Sequence, residues 1–204
     1  MVHLSLAELN HHGYAGGATG SGKTTFLRGL IAGFPGPVIA LDCKGDRALA
    51  ETVCGLPGLV WEIGGPLRLD LLDPEPAILA QQLLEGETFR DRGAVYRAIA
   101  EHTVMRAGSV LRWRAEPLEP ARILELVSSP MTLAEAIREA MPPGDRTAQR
   151  WLVELEEPSA TICEGFQTFA ERLGSLFDSP AGRSLGTGPE AVRLADVLAS
   201  QGKC

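Results

Sequence analysis

Gly17-Ala18-Thr19-Gly20-Ser21-Gly22-Lys23-Thr24 reads as a complete phosphate-binding loop. Its glycines let the backbone curl so that successive N–H groups point inward at an anion. Lys23 is spaced to reach the β- and γ-phosphates of a nucleotide, and the Thr24 hydroxyl to ligate Mg²⁺. The loop runs into the first turn of a helix, whose N-terminus also favours anions. The expected nucleotide contacts are therefore Gly17, Ala18, Thr19, Gly20, Ser21, Gly22, Lys23, Thr24 and Thr25. Lys23 is the expected catalytic cation, Thr24 the expected metal ligand, and the implied cofactors are ATP and Mg²⁺.

The flanks argue against a Gly-rich linker that matches by chance. Upstream, His12 to Gly16 suits a short buried strand. Downstream, Phe26, Leu27, Leu30 and Ile31 mark one face of a helix that Gly33 and Pro35 end. Pro37-Val38-Ile39-Ala40-Leu41-Asp42 is an apolar run closed by a carboxylate, the pattern of a buried parallel strand. Asp42 and Lys44 then stand where open α/β sheets place ligand sites. A role beside the nucleotide and a role in simple strand-end structure are both open for them. Ala48 to Val53 predicts a short helix and Leu59 to Ile63 another strand, with an irregular crossing made by Gly64 to Pro66 and Leu69 to Pro74.

From Pro76 the period becomes helical. Ile78, Leu79 and Leu83 share a face, as do Val95, Ala98, Ile99 and His102, and then Ala148, Trp151, Leu152 and Leu155. Thr132 to Glu135 and Thr161 to Glu164 read as capping boxes that start separate helices. No strand is expected between Pro76 and Phe177. Ala191 to Leu194 suits a strand, followed by a short helix through Gln201. The expected fold class is α/β: the parallel sheet of a P-loop NTPase with a large all-helical insertion. The expected domains are a nucleotide-binding front part (1–75), the insertion (76–180) and a return to the core (181–204).

The 204 residues are 45% hydrophobic with a net charge of −7, which permits one sizeable core and argues against a surface that coats DNA broadly. No apolar run approaches the roughly 18 residues of a membrane span, and the N-terminus does not read as a signal peptide. Cys43, Cys54, Cys163 and Cys204 lack metal or disulfide spacing, which suits a reducing cytoplasm. Among 19 basic residues only Lys23, Lys44 and Lys203 are lysines. Lysine is thus kept at the position where a compact point charge must sit among phosphates.

His11 to Thr25 followed by Val38 to Asp46 resembles the FtsK/HerA superfamily of DNA-pumping ATPases, especially the conjugative coupling proteins of type IV secretion (the TraG/TraD group). That family pairs Gly-Ala-Thr-Gly-Ser-Gly-Lys-Ser/Thr with a strand ending in Asp-Pro-Lys-Gly; here the second motif is Leu41-Asp42-Cys43-Lys44-Gly45. The resemblance implies ATP hydrolysis, DNA as partner, a ring-shaped homo-oligomer, and transfer or secretion machinery at the inner face of the membrane. It also implies an all-helical subdomain between early and late strands.

The family needs an acidic residue after a second apolar strand, and none is found beyond the insertion. The expectation is the front portion of a larger motor, with an open sheet edge and poor solubility. Binding of nucleotide without turnover is the second reading. An ABC-type ATPase, suggested by Thr24 to Arg28, and a small-molecule kinase are more distant.

Arg90, Arg92, Arg97, Arg106, Arg112, Arg114 and Arg122 lie close in sequence, interspersed with acids between Glu87 and Glu119. They read as a solvated face with ordinary ion pairs in preference to a DNA-facing patch. His11 and His12 lack neighbouring ligands at metal spacing, and Trp61, Trp113 and Trp151 read as packing residues.

Overall fold

Helix-starting chemistry recurs along the chain, and it sets the architecture. The computed structural model describes residues 16–56, 59–85, 93–187 and 191–199. Helices α1 (Lys23–Gly33) and α2 (Arg47–Cys54) precede strand β1 (Arg68–Asp70). Then come α3 (Pro76–Leu84), α4 (Gly93–Trp113), α5 (Pro120–Leu126), α6 (Pro130–Ala140), α7 (Arg146–Glu156), α8 (Ala160–Asp178) and α9 (Pro180–Arg183). Strand β2 (Ala191–Arg193) and α10 (Leu194–Ala199) follow. By contact density the chain divides into two units, one drawn from residues 1–60 and 195–204 and the other spanning Trp61–Leu194.

In the second unit, proline opens α3, α5, α6 and α9, where its missing N–H has no intrahelical partner to lose. Side-chain caps start others. Ser129 accepts from the Thr132 amide, Asp145 from Thr147 and Ala148, and Ser159 from Ile162. Apolar faces meet in a core that includes Leu79, Leu111, Ile123, Leu133, Ile137, Leu155 and Phe166, all essentially inaccessible. Gly108 on α4 lets α3 approach closely: a Cβ there would lie 3.2 Å from Leu79 and 3.3 Å from Pro76.

The one sheet among the described residues has two parallel strands, pairing Arg68 with Ala191, Leu69 with Val192 and Asp70 with Arg193. Leu69 extends the pairing through Ser184 and Gly186: its N–H donates to the Ser184 carbonyl (2.8 Å) and its carbonyl accepts from Gly186 (3.1 Å). Arg68 donates to the Leu185 carbonyl (2.7 Å) and to Glu119 (3.0 Å). Glu119 also accepts from the Thr187 hydroxyl (2.8 Å) and amide (3.2 Å). A Cβ on Gly186, whose φ is 152°, would stand 1.9 Å from the Arg68 guanidinium, so a side chain there would be strained and would displace that guanidinium from its hydrogen bonds.

The expected α/β sheet of a P-loop NTPase is overturned. Residues 37–42 and 59–63 form no strand, and the expected strand at 12–16 lies outside the described residues apart from Gly16. The physical reason is the lack of ladder partners: an extended apolar run without neighbouring strands is not held as one. Val38 and Ile39 are exposed, and Leu41 is 91% exposed. Strand β1 instead forms within the stretch expected to be an irregular crossing, because β2 supplies its partner.

Other expectations hold at the level of elements. The helices over 23–33 and 47–54 are present, as are strand β2 and the helix after it. No strand lies between Pro76 and Phe177 among the described residues. The capping boxes at Thr132 and Thr161 mark helices correctly, but Ser129 and Ser159 are the caps. Those serines stand just before the first helical residue, where a side-chain oxygen can reach back-turned amides. Ile78, expected to share a face with Leu79, is exposed while Leu79 is buried.

Two outcomes follow for the second unit. Leu133→Ala should cost about 2–5 kcal/mol in urea unfolding, while Val153→Ala, at a site 73% exposed, should change stability by no more than about 0.5 kcal/mol; similar losses at both sites would contradict the core assignment. Partial burial raises the Glu119 pKa, but hydrogen bonds from Thr187 and the charge and hydrogen bond of Arg68 outweigh it and hold the carboxyl below its ordinary value. Its stabilisation is complete above the unfolded-state pKa and is lost as pH falls through the folded value. Glu119→Gln should therefore flatten the acid limb of stability against pH, and an unchanged limb would show the network to be neutral.

Candidate phosphate-binding site

The loop that precedes α1 is shaped by two residues in left-handed backbone, Gly20 (φ 82°) and Gly22 (φ 86°). A side chain at either would be strained. Thr19 and Gly20 form a turn, closed by the Ser21 amide donating to the Ala18 carbonyl (3.2 Å). Gly22 is the residue before the first helical turn and has no side chain to cap it. The first N–H groups of a helix have no intrahelical acceptor, so this end of α1 presents donors without a built-in cap.

Lys23 folds back over the loop. Its Nζ donates to the Gly17 carbonyl and the Ala18 carbonyl, each at 2.6 Å, and lies 3.4 Å from Ser21 Oγ. A Cβ on Gly17 would come within 2.5 Å of that same Ser21 oxygen. The structure thus brings Gly17, Ala18, Ser21 and Lys23 together. Thr24 and Thr25 sit in the first turn of α1, Thr19 in the preceding turn.

Asp42 and Lys44 belong to a separate local arrangement. The Asp42 carboxylate accepts from the amides of Lys44 (2.9 Å) and Asp46. Those backbone hydrogen bonds, from Lys44 first and then Asp46, hold its pKa below the ordinary carboxylate value against slight desolvation. Gly45 takes a left-handed conformation within the turn (φ 67°). Asp46 then caps α2 through the amides of Ala48 and Leu49. Neither Asp42 nor Lys44 makes a hydrogen bond or ion pair with residues 17–25 among the described residues. What joins α1 to α2 is Arg28, whose Nε donates to Thr52 Oγ1 (2.6 Å). No cluster of three or more His, Cys, Asp or Glu suited to a metal occurs among the described residues.

The arginines expected on a solvated face are largely paired with acids. Arg112 meets Glu75 and Arg114 meets Glu139, each at 2.8 Å, and Arg122 binds Glu116 (3.0 Å) and Glu125 (2.5 Å). Arg90, Arg92, His11, His12 and Cys204 lie outside the described residues, while Cys43, Cys54 and Cys163 are exposed thiols. Trp113 and Trp151 stack with centroids 6.0 Å apart.

One feature went unread in the sequence. Val95, Ala98 and His102 are exposed and, with the half-buried Ile99 that also packs on the core, line an open cleft of about 360 Å³ together with Arg106, Glu154 and Phe166. The available signal was the continuation of the stripe at helical spacing from His102 to Arg106.

No protein-family model, curated protein or solved structure matches the chain. No helix among the described residues is long and apolar enough to cross a membrane.

The Asp42 turn yields its own expectation. In an acid NMR titration the Lys44 and Asp46 amides should shift together, with a midpoint below that of an ordinary aspartate, and Asp42→Asn should abolish the coupled shift. A midpoint at the ordinary value would mean that the turn does not persist in solution.

Proposed function

We propose that residues 17–25 bind the phosphates of ATP with Mg²⁺. The observation that carries this reading is the Lys23 ammonium, laid across a glycine loop at the uncapped start of a helix. A glycine loop, a helix N-terminus without a side-chain cap and a compact cation are neighbours here, a combination suited to a polyphosphate. Gly17 through Gly22 would approach the phosphates by backbone alone, and Lys23 would offset charge on the terminal phosphate. Thr24 would hold the metal, which supplies charge neutralisation when bound. Asp42 is assigned no part in this chemistry, since its carboxylate is engaged within its own turn, and Lys44 enters that turn through its backbone amide.

The wider reading, a motor-type ATPase that moves DNA in a ring of copies in the cytoplasm with a transfer machinery, rests on the two motifs alone. A second reading, nucleotide binding without turnover, is favoured by one observation. Residues 37–42 and 59–63 form no strand, so neither stretch offers a sheet edge from which an acidic side chain could orient attacking water.

Titration with a fluorescent ATP analogue in Mg²⁺ should give saturable binding. Lys23→Ala should weaken it roughly 10- to 100-fold, the effect of losing hydrogen bonds from a charged donor worth about 1.5–3 kcal/mol. Circular dichroism checks that the variant remains helical. Absence of saturable binding by the wild-type chain overturns the proposal. Phosphate release that Lys23→Ala abolishes would reject the non-hydrolytic reading.

A further inference from the structure

The described residues around the phosphate-binding loop hold no buried side chain. Between positions 16 and 56 every residue is exposed or half-buried, whereas the hydrophobic core is made of residues 79–177. Neither α1 nor α2 buries a residue, and Phe26 and Leu27 on α1 are exposed. Burial of apolar surface is the dominant favourable term in folding, so these two helices depend largely on local interactions.

Local interactions are weak here. An isolated helix shorter than roughly 12–15 residues is marginal in water even with good helix formers; α1 has 11 residues and α2 has 8. Asp46 caps α2, which also carries an exposed Arg47–Glu51 ion pair. By contrast α1 starts after Gly22 with no side-chain cap. It contains Thr24, Thr25 and an interior Gly29, all poor helix formers. A Cβ at Gly29 would meet nothing within 4 Å, so packing does not call for glycine there. Among the described residues one side-chain hydrogen bond, from Arg28 to Thr52, joins α1 to α2.

Lys23 and Thr24 both belong to α1, and the free amides at its start exist only while it is helical. The groups suited to a polyphosphate are therefore assembled by the folding of this helix. A ligand that binds the folded form alone stabilises it by mass action. Its apparent affinity falls in proportion to the fraction of molecules already folded.

We propose that ATP binding at residues 17–25 is coupled to the folding of α1, so that the population of this helix sets the affinity of the site. The proposal rests on the phosphate-binding reading and adds its regulation: a contact that stabilises α1 raises affinity without touching the nucleotide.

The test joins backbone hydrogen exchange of the full chain to titration with the fluorescent ATP analogue in Mg²⁺. In the free chain the amides of residues 27–32 should exchange within about tenfold of an unstructured peptide, while residues 104–111 of α4 are strongly protected. Saturating ATP with Mg²⁺ should slow exchange at 27–32 by about tenfold or more. Gly29→Ala adds helix propensity outside the loop and should tighten binding about fivefold, the factor that the propensity difference supplies. Strong protection of 27–32 in the free chain, unchanged exchange at saturation, or equal affinity of the wild type and Gly29→Ala would each overturn the coupling and leave the phosphate-binding reading standing. Absence of saturable binding would overturn both. Should Gly29→Ala lose its helical circular dichroism, exchange of the wild type with and without nucleotide still decides.

Discussion

The close approach of α3 to α4 is the constraint on which the helical unit depends. Gly108 leaves α4 without a side chain where Pro76 and Leu79 must pass, and Leu79 is thereby fully buried. Around that contact, Val104, Ala107, Val110 and Leu111 turn the same helix inward, and α5, α6 and α8 supply Ile123, Leu133, Ile137 and Phe166. The central helix is long because its burial is long. Small residues set its spacing, and large ones on its neighbours fill what remains.

Charge is arranged around this core rather than in it, with one exception. The arginines of α4 and α5 meet carboxylates at partly exposed positions, where each pair adds little stability. Arg106 is different, for it is buried and its carboxylate partner is 44% exposed. Such a pair is costly to break and contributes little by itself.

How much was legible in the sequence differs between the units. Helices were readable where period and punctuation agreed: Ala148 and Leu155 proved buried, and Pro76, Thr132 and Thr161 marked starts within a few residues. The sheet was not. Val38 to Leu41 has the composition of a buried strand, but composition cannot supply neighbours, and in this structure the run has none. Conversely Arg68 to Asp70 looked irregular because its partner is a segment far along the chain. At 17–24 the bend expected of the glycines is present at Gly20 and Gly22, which take left-handed backbone. The cleft was hidden because half of its polar end, Glu154, comes from another helix.

The parallel pairing of β1 with β2 has a topological consequence. Gly64 and Ser184, 120 positions apart, are hydrogen-bonded, so the segments that lead into and out of the helical unit lie side by side. A domain whose two ends are adjacent can be set into a host chain at a single loop without stretching either. The helical unit is therefore organised as a cassette. Evolution or an experimenter could lengthen, replace or transplant it while leaving the flanking segments joined by the same short seam.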